Sequence, residues 1–155
     1  MNMHIFENTE PKFPHRFNSS KDCADVMRGF TSMDREAFFI VFLDGQNSMI
    51  DYVCHCVGSA GSCPVYSREI LKSCLYKNAR AVIFCHNHPS NETTPSREDR
   101  AITKVLLYAL KLVDIEVLDH LIIGKDSYFS FADHGDIDTM QQDYKRDKHL
   151  FGGPE

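Results

Sequence analysis

Apolar positions along this chain fall into two rhythms. Ala37–Asp44 (AFFIVFLD) is a nearly continuous run of apolar, β-branched and aromatic residues, the length of a buried strand. Gly45-Gln46-Asn47 supplies turn chemistry, and a second strand follows at about Met49–Val57, so the two should form a hairpin. Ala81–Cys85 (AVIFC) is a third strand, short and apolar enough to be central and buried on both sides. Helical spacing takes over at Tyr66–Lys77, where Ile70, Leu71, Cys74 and Leu75 share a face. It returns at Ser96–Leu112, where Ala101, Ile102, Val105, Leu106, Ala109 and Leu112 do the same. A shorter helix fits from Ser20 to about Phe30, with a cap in Ser20-Lys21-Asp22. Asp114–Ile123 and Tyr128–Ala132 read as the last strands, joined by Gly124-Lys125-Asp126. The order α-β-β-α-β-α-β-β predicts an α+β fold. Helices flank a mixed sheet in α-β-α layers, unlike a doubly wound parallel fold.

Length and composition narrow this picture. A chain of 155 residues fits one domain. Residues 1–19, with Pro11 and Pro14 among polar residues, read as a flexible arm; residues 20–135 form the domain; residues 136–155 read as a polar tail, mobile or ordered by a partner. The longest apolar run, Ala37–Leu43, is far short of the roughly 20 residues that span a bilayer. No secretory leader is visible, so a cytoplasmic location and reduced thiols are expected for the six cysteines. Cys54-His55-Cys56 invites a metal reading, but strand alternation would send its neighbours to opposite faces. The net charge of −5 weighs against a protein that grips DNA by its phosphates.

One polar stretch carries chemistry: His86-Asn87-His88-Pro89, then Ser96-Arg97-Glu98-Asp99. Residues i and i+2 of an extended chain point to one side, so both imidazoles can converge on a point. The intervening loop can bring Asp99, in the first turn of the next helix, beside them. Two histidines and a carboxylate suit Zn²⁺, and three protein ligands leave a fourth position for water, whose pKa then falls towards about 7. Capping alone also accounts for Ser96-x-x-Asp99. Combined with the histidines, the stretch points to a ligand.

The spacing His-x-His-Pro, six residues, Ser-x-x-Asp resembles the JAMM signature of the JAB/MPN metalloprotease superfamily. The wider chain resembles its RadC-like family in REAFFIVFLDGQN (Arg35–Asn47), PVYSREIL (Pro64–Leu71), AVIFCHNHPSNETTPSREDRAIT (Ala81–Thr103) and VDIEVLDHLIIG with FSFADHG (Val113–Gly124, Phe129–Gly135). The resemblance implies a JAB/MPN core, similar to that of cytidine deaminases, and Zn²⁺ held by His86, His88 and Asp99. It implies Glu36 as general base and proton donor, and Ser96 as oxyanion donor. His120 and Asn87 would then support the ligands. The implied activity is hydrolysis of an amide or isopeptide bond in a peptide or protein conjugate. Two other readings accompany the family: a DNA repair or recombination accessory, and a non-catalytic zinc-stabilised interaction module. The intact five-residue set favours the enzyme. Asn91 stands where the family's loop has Gly, and Ser67 where a proline is common. The helix-hairpin-helix region typical of longer relatives finds no room here, and an edge-strand dimer is left open.

Overall fold

The apolar run at residues 37–43 forms a strand that is paired on both edges and packs into a core on each face, which explains why neither face carries charge. The structure, a computed structural model, describes residues 16–31, 34–58 and 64–151. In chain order the elements are α1 (Ser20–Arg28), β1 (Glu36–Leu43), β2 (Met49–Gly58), α2 (Ser67–Tyr76), β3 (Ala81–Asn87), α3 (Arg97–Lys111), β4 (Glu116–Ile123), β5 (Tyr128–Ser130) and α4 (Asp136–Asp147). A 3₁₀ turn at Lys148–Phe151 follows. The five strands make one sheet in the order β2-β1-β3-β4-β5. Only β3 and β4 run parallel; the other pairs are antiparallel. The mixed sheet, the hairpin and the central place of β3 are as the sequence predicts.

A parallel pair needs a crossover, and α3 supplies it. That connection positions the site. It returns the chain from the end of β3 and lays the N-terminus of α3 beside it.

Each face of the sheet has its own core. Phe38, Ile40, Phe42, Val82 and Phe84 pack with Ile70 and Cys74 of α2 and with Leu106, Leu107 and Leu110 of α3. Ala37, Phe39, Val41, Ile83 and Cys85 face the other way, against Cys23, Ala24 and Met27 of α1. The result is the expected α-β-α layering. Cys85 indeed points away from the face on which His86 lies.

Three expectations need correction. The polar tail expected at residues 136–155 is a helix over Asp136–Asp147, with Ile137 and Met140 buried in the first core. Its polar residues are used rather than solvated: Lys104 reaches Asp143 at 2.7 Å, the Tyr108 hydroxyl donates to Asp147 at 3.0 Å, and Arg100 pairs with Asp136 at 2.5 Å. Secondly, strand alternation breaks at Cys54-His55-Cys56. Phe38 opposes Cys56 and Phe39 opposes Cys54, so His55 is an extra, bulged residue. Thirdly, Cys23, Cys54, Cys74 and Cys85 are free, but Cys56 is disulfide-bonded, against the expectation of reduced thiols throughout. The arm expected at residues 1–19 lies mostly outside the described residues. Its last residue, Ser19, caps α1 by accepting from the Asp22 N–H at 3.2 Å.

Candidate metal centre

The polar residues at the end of β3 stay in the sheet. His86 still opposes Ile122, and Asn87 opposes Ile123. This extra pairing holds the His86 backbone rigidly, with the side chain 2% exposed. His88 follows outside the strand. The Nε2 atoms of His86 and His88 lie 2.9 Å apart. Asp99 faces both, with Oδ1 3.3 Å from His86 Nε2 and Oδ2 3.4 Å from His88 Nε2. Four donors around zinc, at bonds of about 2.0–2.2 Å, would sit roughly 3.3–3.5 Å apart; the two edges to Asp99 match this, and the edge between the imidazoles is shorter. Glu36 joins them: donor atoms of Glu36, His86 and His88 all lie within 4.8 Å of one another, a set that could hold a metal ion.

Electrostatics fit the same use. Burial would push the Asp99 carboxyl up, but the imidazoles of His86 and His88 that face it overcome this and hold Asp99 well below the usual carboxylate range. The Asp99 carboxylate in turn raises His88 above the usual 6.5. Burial drives His120 well below that value, helped by the neighbouring His86.

Tautomers matter because only an unprotonated ring nitrogen can bind a metal. His88 Nδ1 lies 2.6 Å from the Glu92 carbonyl oxygen. A carbonyl only accepts, so Nδ1 carries a proton, and in the neutral ring Nε2 is the atom that holds the lone pair. His86 Nδ1 faces His120 Nε2 at 2.7 Å.

The capping role of the Ser96 stretch is realised in full. Ser96 Oγ accepts from the Asp99 N–H at 3.0 Å, and the Ser96 N–H donates to Asp99 Oδ2 at 2.8 Å, a complete capping box. Accepting that bond uses a lone pair and leaves the hydroxyl proton to donate elsewhere. The cap also aims Asp99, because the carboxylate that closes the box is the one facing the histidines.

Asn87 has a definite job. Its Oδ1 accepts from the Ala37 N–H at 2.9 Å, and its Nδ2 donates to the Arg35 carbonyl at 3.0 Å. The side chain therefore grips the main chain on both sides of Glu36.

The loop after His88 is anchored from β4. Asn91 is left-handed, with φ of 64°, and its side-chain oxygen accepts from the Lys125 N–H. Gly124 allows this approach: a Cβ there would come within 2.6 Å of Asn91 Oδ1 and 2.9 Å of Thr93 Cγ2. Asn91 thus keeps the backbone shape that Gly would give and adds a tether.

These groups open into a cleft of about 640 Å³. Phe38, Val65 and Ile102 make an apolar wall, while Glu36, Ser96, Glu98 and Asp99 make a polar, acidic one.

A family model described as the RadC-like JAB domain matches residues 17–136. The chain belongs to the RadC-like JAB domain family. The UPF0758 protein YfjY of Escherichia coli (strain K12) is 45% identical over 120 residues, covering 77% of this chain and 75% of that one. YeeS of the same strain is 48% identical over 110 residues, covering 71% and 74%. The UPF0758 protein PSHAa2643 of Pseudoalteromonas translucida (strain TAC 125) is 47% identical over 123 residues, covering 77% of this chain but 54% of its own. Most of α4 lies beyond the RadC-like match.

Glu36, His86, His88, Ser96 and Asp99 line the cleft, His120 backs His86, and Asn87 holds the main chain beside Glu36. Thr103 was not singled out. Its signal was position alone, one helical turn after Asp99 on the same face of α3.

Proposed function

We propose that this RadC-like JAB domain is a Zn²⁺-dependent hydrolase that cuts an amide or isopeptide bond in a peptide or protein conjugate. The observation that carries this reading is the two Nε2 atoms 2.9 Å apart, bracketed by Asp99 and open to a cleft with Glu36 on its wall. His86, His88 and Asp99 would hold the ion, a set of three that leaves one position open. Bound there, Zn²⁺ supplies Lewis acidity and makes hydroxide available near neutral pH.

The remaining steps belong to the chain. The Glu36 carboxylate removes a proton from the attacking water and returns it to the leaving nitrogen as the C–N bond breaks. The Ser96 hydroxyl donates to the carbonyl oxygen as negative charge develops on it. The apolar wall of Phe38, Val65 and Ile102 can take a substrate's side chain while excluding water. The exposed Glu98 carboxylate in the cleft lining disfavours a phosphate backbone as the ligand.

The test is zinc content and hydrolysis in the wild type, His88→Ala and Glu36→Ala. The wild type should hold about one zinc per chain. His88→Ala should lose both zinc and hydrolysis, whereas Glu36→Ala should keep zinc and lose hydrolysis. A wild type without stoichiometric zinc, or hydrolysis that survives both substitutions, overturns the reading.

A further inference from the structure

We propose that Thr103 and His120 form a hydrogen-bonded line whose task is to fix which nitrogen of His86 faces the metal site. This rests on His86 being one of the metal ligands.

The line starts in α3. Thr103 Oγ1 donates to the Asp99 carbonyl at 2.6 Å. A hydroxyl has one proton, so towards His120 Nδ1, also 2.6 Å away, Thr103 can only accept. His120 Nδ1 must therefore carry a proton. With one proton on that ring, His120 Nε2 is an acceptor. It faces His86 Nδ1 at 2.7 Å, so His86 Nδ1 must donate. His86 Nε2 is left with its lone pair directed at Asp99 and His88. One hydroxyl orientation thus propagates through two rings to the ligand atom.

The surroundings keep the line from slipping. Thr103 and His120 are each 0% exposed. Phe131 stacks on the His120 ring at 4.9 Å, and the Phe38 and Phe84 rings meet it edge-on at 5.6 and 6.0 Å. A flipped His120 would lose both of its polar partners inside an aromatic box. His86 and His88 solve the same problem in different ways. His88, nearer the surface, uses the Glu92 carbonyl. His86 lies deep in the sheet, where strand pairing occupies the backbone carbonyls, so a side chain has to supply the acceptor. The line also ties the first turn of α3, which presents Asp99, to β4 and β3.

The experiment measures zinc affinity by chelator competition in the wild type, Thr103→Val, Thr103→Ser and His120→Gln, alongside each melting temperature. Val keeps the shape of Thr and removes the hydroxyl; Ser keeps the hydroxyl and removes the methyl. Affinity should fall about 10–100-fold in Thr103→Val and stay near wild type in Thr103→Ser, whatever their stabilities. His120→Gln, which can accept and donate at the same two points, should retain more affinity than Thr103→Val. A purely structural Thr103 would give affinities that follow melting temperature instead. Side-chain ¹⁵N–¹H spectra of the zinc-loaded wild type supply a readout that needs no variant: Nδ1–H protons on both His86 and His120, protected from solvent. Wild-type affinity in Thr103→Val, or an unprotonated His120 Nδ1, overturns the proposal and leaves the zinc site standing. A wild type that takes up no zinc overturns both.

Discussion

Asn87 holds the main chain on both sides of Glu36. Its amide bridges the Arg35 carbonyl and the Ala37 N–H, so the residue between the two histidines also sets where the cleft's glutamate stands. Replacing Asn87 with Ala should therefore separate two properties. Zinc affinity should change little, because neither imidazole depends on the amide. Turnover should fall by up to about 100-fold, the scale expected when a reacting group moves by about 1 Å. Steady-state kinetics on zinc-loaded protein would show the loss in kcat; a loss confined to zinc content would contradict this role.

Gly124 should not tolerate a methyl group. The added carbon would sit 2.6 Å from Asn91 Oδ1 and 2.9 Å from Thr93 Cγ2, in the loop that carries His88. Gly124→Ala should cost about 1–3 kcal/mol of stability, the usual price of overpacking, and weaken zinc binding as the loop is displaced. Thermal unfolding and zinc titration of the one variant check both.

Asp119 should titrate anomalously. Burial pushes its carboxyl up to about 6 from 3.8, even though it accepts from Ser130 Oγ at 2.6 Å and from the His120 and Ala132 N–H groups at 2.7 and 2.9 Å. The folded state thus keeps this proton to a higher pH than the unfolded chain does. The resulting stability is complete below about 3.8 and is lost as pH rises through about 6. Carboxyl ¹³C shifts of the metal-free protein should give Asp119 a midpoint near 6. A midpoint in the ordinary carboxylate range would contradict it.

The helix α4 should be part of the folding unit, although most of it lies beyond the RadC-like match. Ile137 is 3% exposed and packs into the first core. Ile137→Ala should destabilise the whole domain by about 2–5 kcal/mol. Urea unfolding followed by two probes, one near α4 and one in the sheet, should give coincident transitions at a lower midpoint.

Elements with a strong local signal were legible. The apolar strands and the stripes of α2 and α3 appear where periodicity places them, within one or two residues at most ends. The misses share a cause: the deciding partner was far away in sequence. β3 reads as ending at Cys85 because His86 and Asn87 are polar, yet β4 keeps them paired. The only apolar stripe of α4 is Ile137, Met140 and Tyr144 among charges, so Lys104, Tyr108 and Arg100 of α3 had to be in place before the segment looked like anything but a tail. At the site, residue types and spacing were enough to pick out His86, His88 and Asp99, which the fold brings within 3.4 Å of one another. What each supporting side chain holds was not, because Asn87 acts on residues 35 and 37, and Thr103 acts through a strand that begins 13 residues later.

The crossover through α3 has a consequence for how the protein matures. Emerging from the ribosome, the chain delivers Glu36, then the histidine pair, then Asp99, while the strand that backs His86 is still to be made. A nascent chain that stops short of Leu118–Ile123 owns every donor and lacks the means to orient the inner one. If His86, His88 and Asp99 hold an ion as proposed, its capture would wait until β4 has closed the sheet behind His86.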